Sequence, residues 1–265
     1  MVIETIGFQA TAAAAAGTAA AAFPGDSLAV KNAIDGSAIR LLSIFSKNQS
    51  LGFQQITAPS FNDTTRGIRW VAPAAQVVQP FMFPSVQPLV PQELISAIIG
   101  GTAVAGDIEQ GLLTIFYENS PGLQGKYVTP EEVISQGVRA VTVQASLTAG
   151  AAGGWSGAAL ITAGSDLLRA NTNYAVIGAQ AGIQVSALGM RAPDWSNLRV
   201  AVPGDIVGGS DSQEWFARLS KATGLPCIPV FNSANKNNIF LDVADDENGG
   251  ATTVQWNLVE LPPGI

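Results

Sequence analysis

At 265 residues the chain can hold one large domain or two of ordinary size, each able to bury its own core. Charged residues make up 12% of it, the net charge is −7 and the 13 basic residues are scattered, so it is neither a disordered tail nor a carrier of the basic patch that gripping phosphates requires. The absence of histidine removes the commonest general base and zinc ligand; the single cysteine, Cys227, excludes an internal disulfide and reads as a small buried residue on a strand.

The start, MVIETIGFQ, lacks the basic region of a signal peptide, and no stretch approaches the roughly 20 apolar residues that span a bilayer. A soluble chain without an export signal is therefore expected. Residues 2–10 alternate as a strand. Residues 10–22 are alanine-rich, which by propensity favours helix, whereas Gly17 and the glycine-rich counterpart AGAAGGWSG favour a loop or extended segment. Both readings stand at this point.

Short strands are expected at 27–32, 38–46 and 53–58, with Asp35-Gly36 as a turn. Another is expected at 67–71, with Ile68 and Trp70 on one face and Arg69 on the other. Five prolines between Pro73 and Pro91 exclude continuous helix and leave extended, edge-like pieces. Strands at 94–99 and 112–118 close this half.

Residues 121–125 are the expected domain boundary, which divides the chain into 1–125 and 126–265. In the connector 126–138, Thr129-Pro130-Glu131-Glu132 supplies an N-cap, a proline at the first helical position and two acids at the positive end of the dipole, and Gly137 stops the helix. Strands are then expected at 139–147, 160–168, 173–180, 183–188, 198–202, 228–231, 239–243 and 252–260. Between them, residues 212–223 place Trp215, Phe216 and Leu219 at helical spacing, with 210–212 as cap, Gly224 beyond the last turn and Pro226 after it. That apolar stripe is expected to pack on its own sheet.

The two halves echo each other. GFQQITAPSFNDTTRGIRWVAPA (52–74) and GIQVSALGMRAPDWSNLRVAVPG (182–204), set side by side without gaps at an offset of 130, match Gly52/Gly182, Gln54/Gln184, Arg69/Arg199 and Pro73/Pro203. Upstream FQA (8–10) answers VQA (143–145), and downstream LLTIFYENSPG (112–122) answers VQWNLVELPPG (254–264). Two copies at so long a period make a pair of like domains and not a solenoid.

About eight short strands per half, broken by proline and glycine, suit an all-β protein of two tandem jelly-roll sandwiches with a connector helix and one helix in the second half. The paired GFQ/GIQ and IRWVAP/LRVAVP strands, the helix EWFARLSKATGLP (214–226) followed by CIPVFNSANK (227–236), and the matching closing strands resemble the double jelly-roll major capsid proteins of tailless icosahedral viruses, including bacterial viruses that enclose a membrane. The resemblance implies a virion protein, assembled in the host cytoplasm, whose trimers are pseudo-hexameric tiles with upright strands. Its implied partners are its own copies and minor capsid or vertex proteins, with either an internal membrane or other proteins beneath the shell; the lack of a basic patch adds that no direct nucleic-acid binding is expected. A surface poor in charge fits one covered by neighbouring subunits.

No catalytic residue, cofactor site or metal site is assigned. GGTAVAG (100–106) and GGSDS (208–212) lack the Gly-Lys-Ser/Thr continuation and the dinucleotide spacing, and read as loops. Asp242, Asp245, Asp246 and Glu247 are either a solvated turn or a calcium site, without the alternating spacing of an EF-hand. The competing functions are a tandem carbohydrate-binding module, which calls for aromatics exposed on one sheet, and an enzyme, for which no constellation is present.

Overall fold

The computed structural model describes residues 1–11, 17–31, 39–48, 52–61, 67–72, 76–77, 81–101, 106, 108–149, 154–181, 185–204, 212–245 and 250–262. The first half runs β1 (Val2–Thr11), β2 (Thr18–Ala19), β3 (Ala21–Ala22), β4 (Ile39–Asn48), β5 (Gly52–Thr57), β6 (Ile68–Ala72), β7 (Gln76–Val77), β8 (Phe81–Leu89), β9 (Ser96–Gly101) and β10 (Ile108–Tyr117). The second runs β11 (Lys126–Val128), α1 (Pro130–Gln136), β12 (Arg139–Ala149), β13 (Trp155–Leu160), β14 (Asn173–Ala181), β15 (Ala187–Arg191), β16 (Arg199–Pro203), α2 (Trp215–Thr223), β17 (Ile228–Asn232), β18 (Phe240–Ala244) and β19 (Gly250–Glu260).

Each half folds into one wide and one narrow antiparallel sheet. In the first the wide sheet is ordered β3-β1-β10-β4-β7, with β8 also on β4, and the narrow one β2-β9-β5-β6; in the second they are β11-β17-β14-β19-β12 and β13-β18-β15-β16. Take β2 with β3 as the second strand of the first half, and β7 with β8 as the sixth. Both wide sheets then read first-eighth-third-sixth and both narrow sheets second-seventh-fourth-fifth, which is the strand order of a jelly roll. Both halves also carry a β-bulge at the same place: the third strand gains an extra residue opposite the eighth, Leu42 in β4 and Ile177 in β14.

The sheets stack as four layers. The outward face of the first wide sheet lies on the outward face of the second narrow sheet, so Leu112 clusters with Ala187 and Ala244, and Trp155 packs against them. Both middle sheets are therefore covered on both faces: β1 and β10 are buried almost throughout, as are β15, β16 and β18. The outer wide sheet shows the alternation of a half-solvated sheet, with every second residue of β12 exposed from Ala140 to Thr148. One apolar core cluster runs from Ile6 and Phe8 through Val200 and Val202 to Trp256 and Leu258, in place of two separate cores.

Several expectations shift. Residues 10–22 contain no helix among the described positions; β1 extends to Thr11, and β2 and β3 follow Gly17, whose φ of +85° is costly for any side chain. Of the segment 27–32, the described residues 27–31 supply only an isolated bridge, Ala29 to Leu94. The strand expected at 160–168 lies earlier, as β13, because Trp155 anchors it in the junction; 161–168 is irregular. The strand expected at 183–188 is β15, which begins at Ala187. The connector opens as a strand, β11 on β17, before α1.

The expected caps fare differently. Thr129 forms a full capping box with Glu132. Ser212 does not cap α2: its hydroxyl donates to the Gly204 carbonyl, and a single 3-10 turn, Ser212–Glu214, leads in instead. Gly224 closes α2 at φ +70°, as a left-handed C-terminal residue does. The apolar face, Trp215, Phe216 and Leu219, is buried, and α2 lies on β14 and β17 of its own wide sheet while its backbone also runs against β8 and β4 of the first half.

Candidate functional site

The densest side-chain chemistry sits where the two sandwiches meet. Arg199, on the edge strand β16, points out of the second narrow sheet. Its guanidinium lies 4.4 Å from the Trp155 ring centroid, and it donates to Asp26 and, at 3.1 Å, to Asp242. Asp242 on β18 also takes both arms of Arg191, at 2.8 and 3.1 Å. Asp26, just beyond β3, accepts from the Gly7 amide and the Trp155 indole, both at 2.8 Å. Two carboxylates and two guanidiniums thus cancel at a site where Arg199, Asp26 and Asp242 are each no more than 10% exposed. Buried pairs of this kind add less stability than orientation, because desolvation consumes most of the Coulomb gain.

Further ties join the halves. The Ala201 amide donates to Thr5 Oγ1 at 3.0 Å, Gln110 Nε2 donates to the Asp245 carbonyl at 3.0 Å, and the Ile3 amide donates to the Tyr127 hydroxyl at 2.9 Å. Beside the last, Glu4 accepts from the Tyr117 hydroxyl at 3.0 Å and pairs with the Lys31 ammonium at 2.6 Å. Burial pushes the Glu4 carboxyl above its ordinary value, against the pull of Lys31. Burial also raises both tyrosine hydroxyls, so they stay protonated donors.

The acidic group at 242–247 does not converge on a cation. Asp242 is engaged by two arginines, Asp245 offers its carbonyl to Gln110, and Asp246 and Glu247 lie outside the described residues. Among the described residues no three Cys, Asp or Glu side chains stand close enough to hold a metal. Cys227 is wholly buried just before β17, and burial raises its thiol to about 12, the opposite of an activated nucleophile. Of the two glycine-rich loops, 102–105 and 208–211 lie outside the described residues. Among the described residues no helix is long and apolar enough to cross a membrane.

Among the described residues, exposed side chains line part of two sheet faces. On the second wide sheet, Thr142, Gln144, Ser146 and Thr148 stand exposed along β12, and a row of amides crosses it: Gln144 opposite Gln255, Gln180 bonded to Gln255, and Gln213 to Gln180. On the first narrow sheet, the exposed Arg69 stacks 3.5 Å from the Phe53 centroid beside Val71, which is 70% exposed.

Sequence reasoning met Arg199 only as a repeat match and passed over Asp26, Trp155 and Tyr127. The available signal was in β10, where the apolar run from Leu112 to Tyr117 is interrupted only by Thr114, since strands covered on both faces lose the period of two.

No family model matches the chain, and no curated protein matches its sequence. Among solved structures it is similar to the exported protein XepA of PBSX (11% identity, 97% of this chain and 86% of that one, TM-score 0.28). It is also similar to the major capsid protein P2 of bacteriophage PM2 (8% identity, 99% of each chain, TM-score 0.22). A third is the triple jelly-roll protein of an archaeal virus (10% identity, TM-score 0.26), where 89% of this chain spans 55% of that one. Overlaps this low leave the architecture to be argued from the chain's own strand order.

Proposed function

We propose that the chain is the major capsid protein of a tailless icosahedral virus, a structural subunit that acts by self-assembly and has no catalytic role. The observation that carries this reading is the stacking. Two jelly rolls of one strand order are joined wide sheet to narrow sheet, which leaves exposed residues of each kind of sheet at the two ends, along β12 and at β6. Two like units on one polypeptide let three chains fill a sixfold environment, as a pseudo-hexameric trimer.

In this reading residues 1–125 and 126–265 are the two domains, strands stand upright on the shell, and the host is a bacterium in whose cytoplasm assembly takes place. Its own copies are the main partners. Minor capsid or vertex proteins and an underlying membrane are further ones, and a net charge of −7 with 13 scattered basic residues leaves genome contact to others. Native mass measurement and negative-stain microscopy of the purified chain test it: trimers or uniform shells are expected, and a monomer at every concentration refutes it.

A further inference from the structure

The contact inside the chain is a template for the contact between chains. It is heterologous, a wide sheet on a narrow one, and heterologous contacts repeat from copy to copy, closing a ring where the rotation permits and running on as a filament where it does not. The faces that still carry exposed side chains are the narrow sheet of the first sandwich, at β6, and the wide sheet of the second along β12, clear of the β14–β17 part on which α2 is seated; they are the same two kinds in the order that the internal contact requires.

Register makes the correspondence specific. The bulges place Thr114 of β10 and Asn257 of β19 at equivalent positions. Opposite them stand Thr5 on β1 and Thr142 on β12. Thr5 Oγ1 receives the Ala201 amide of β16; Thr142 faces outward with no cover. On the other side, Arg199 and Ala201 of β16 correspond through the IRWVA/LRVAV match to Arg69 and Val71 of β6. The internal Thr5 to Ala201 contact therefore maps onto Thr142 and Val71.

The ion pair maps as well. In both halves the segment after the second strand passes the outer edge of the first: Phe23 and Asp26 bond the backbone of Gly7, and Gly164 abuts the Gln144 carbonyl. Two residues past Gly164 comes Asp166, whose carboxylate is 43% exposed and pairs with Lys236. Arg69 has no carboxylate partner among the described residues. The face it would meet carries only neutral hydroxyl and amide groups from Thr142 to Thr148, which cost far less to desolvate than charged groups would.

We infer that the outer wide-sheet face of one copy, along β12, receives the β6 edge of the next copy's narrow sheet, with Val71 against Thr142 and Arg69 reaching Asp166. This rests on the self-assembling trimer proposed above and assigns its interface.

The test uses the full chain carrying Val71→Cys and Thr142→Cys, treated with a short bismaleimide; Cys227 is buried and gives little background. Cross-linking that ends at a covalent trimer is expected, with each single variant remaining uncross-linked. Arg69→Glu is expected to raise the concentration at which trimers dissociate at least tenfold, and adding Asp166→Lys to recover most of that loss. Native trimers in which the cysteine pair does not cross-link, or in which Val71→Cys alone links to itself, overturn this interface while self-assembly stands. A chain that stays monomeric overturns both.

Discussion

Arg199 shows how a single side chain sets the relation between two sandwiches. It stacks on Trp155 and bonds carboxylates from both halves, so neither Asp26 nor Asp242 can be lost without leaving positive charge under-compensated in a dry site. Asp26→Ala also orphans the Gly7 amide and the Trp155 indole, and is expected to cost about 3–5 kcal/mol in urea unfolding. Two glutamates give opposite pH signatures. The hydrogen bond from Arg139, helped by Arg169, holds Glu260 below the usual carboxylate range, so its contribution is present above the ordinary value of 4.5 and is lost as pH falls through the depressed one. Glu4 is raised by burial, so its ionisation opposes folding and stability falls as pH rises from 4.5 through the raised value. Urea midpoints measured across this range should show Glu4→Gln gaining on the wild type as pH rises. A difference that does not change with pH would refute the assignment.

At the level of elements, α2 is the piece whose local form was most legible and whose placement was least so. Its spacing of Trp215, Phe216 and Leu219, the basic Lys221 in its last turn and Gly224 after it are local signals, and the helix forms where they put it. That it also lies against β8 and β4 depends on chain more than a hundred residues away, which no periodicity encodes. The same division runs through the strands. β12 and β19 declare themselves by clean alternation, whereas the faces of β1 and β10 are hidden by the second sandwich. Repeat matching succeeded at β6 and β16, which begin at 68 and 199, one residue off the 130 offset. It failed at β5 and β15, which begin at 52 and 187, because the turn after β15 is shorter. At β10 and β19 the sequence match lies one residue from the register fixed by the bulges, and such a slip exchanges the two faces. Two glycine substitutions separate local from tertiary cost. Gly224→Ala meets open space, so only the left-handed backbone is strained and the loss should be about 1 kcal/mol. Gly178→Ala drives a methyl into the backbone of Ser212 and Gln213 and should cost roughly 1–3 kcal/mol by lifting the lead-in of α2 off β14. Equal losses in thermal melts would mean that α2 is not seated on Gly178.

For the molecule as a whole, burying two sheets on both faces makes the halves thermodynamically dependent. Tandem domains with modest polar interfaces usually melt separately. Here the outward faces of β1 and β10 have no solvated state in the folded protein, because Leu112, Thr5 and Gln110 are covered by β15, β16 and the end of β18. Removing the second sandwich would expose that apolar surface together with the Asp26 carboxylate. At about 25 cal/mol per Å², each ~100 Å² of apolar burial lost would cost about 2.5 kcal/mol, against roughly 5–15 kcal/mol for the whole stability of an ordinary domain. Calorimetry of the full chain under dissociating conditions should therefore give one transition, with van't Hoff and calorimetric enthalpies in agreement, and residues 1–125 expressed alone should remain unfolded or aggregate. Asp26→Ala should lower that single transition without splitting it, since the apolar layer still couples the halves. Two resolved transitions in the unmodified chain would show instead that the sandwiches are autonomous and the junction is incidental. The chain would then lack the rigid wide-on-narrow unit from which a closed ring of copies could be built.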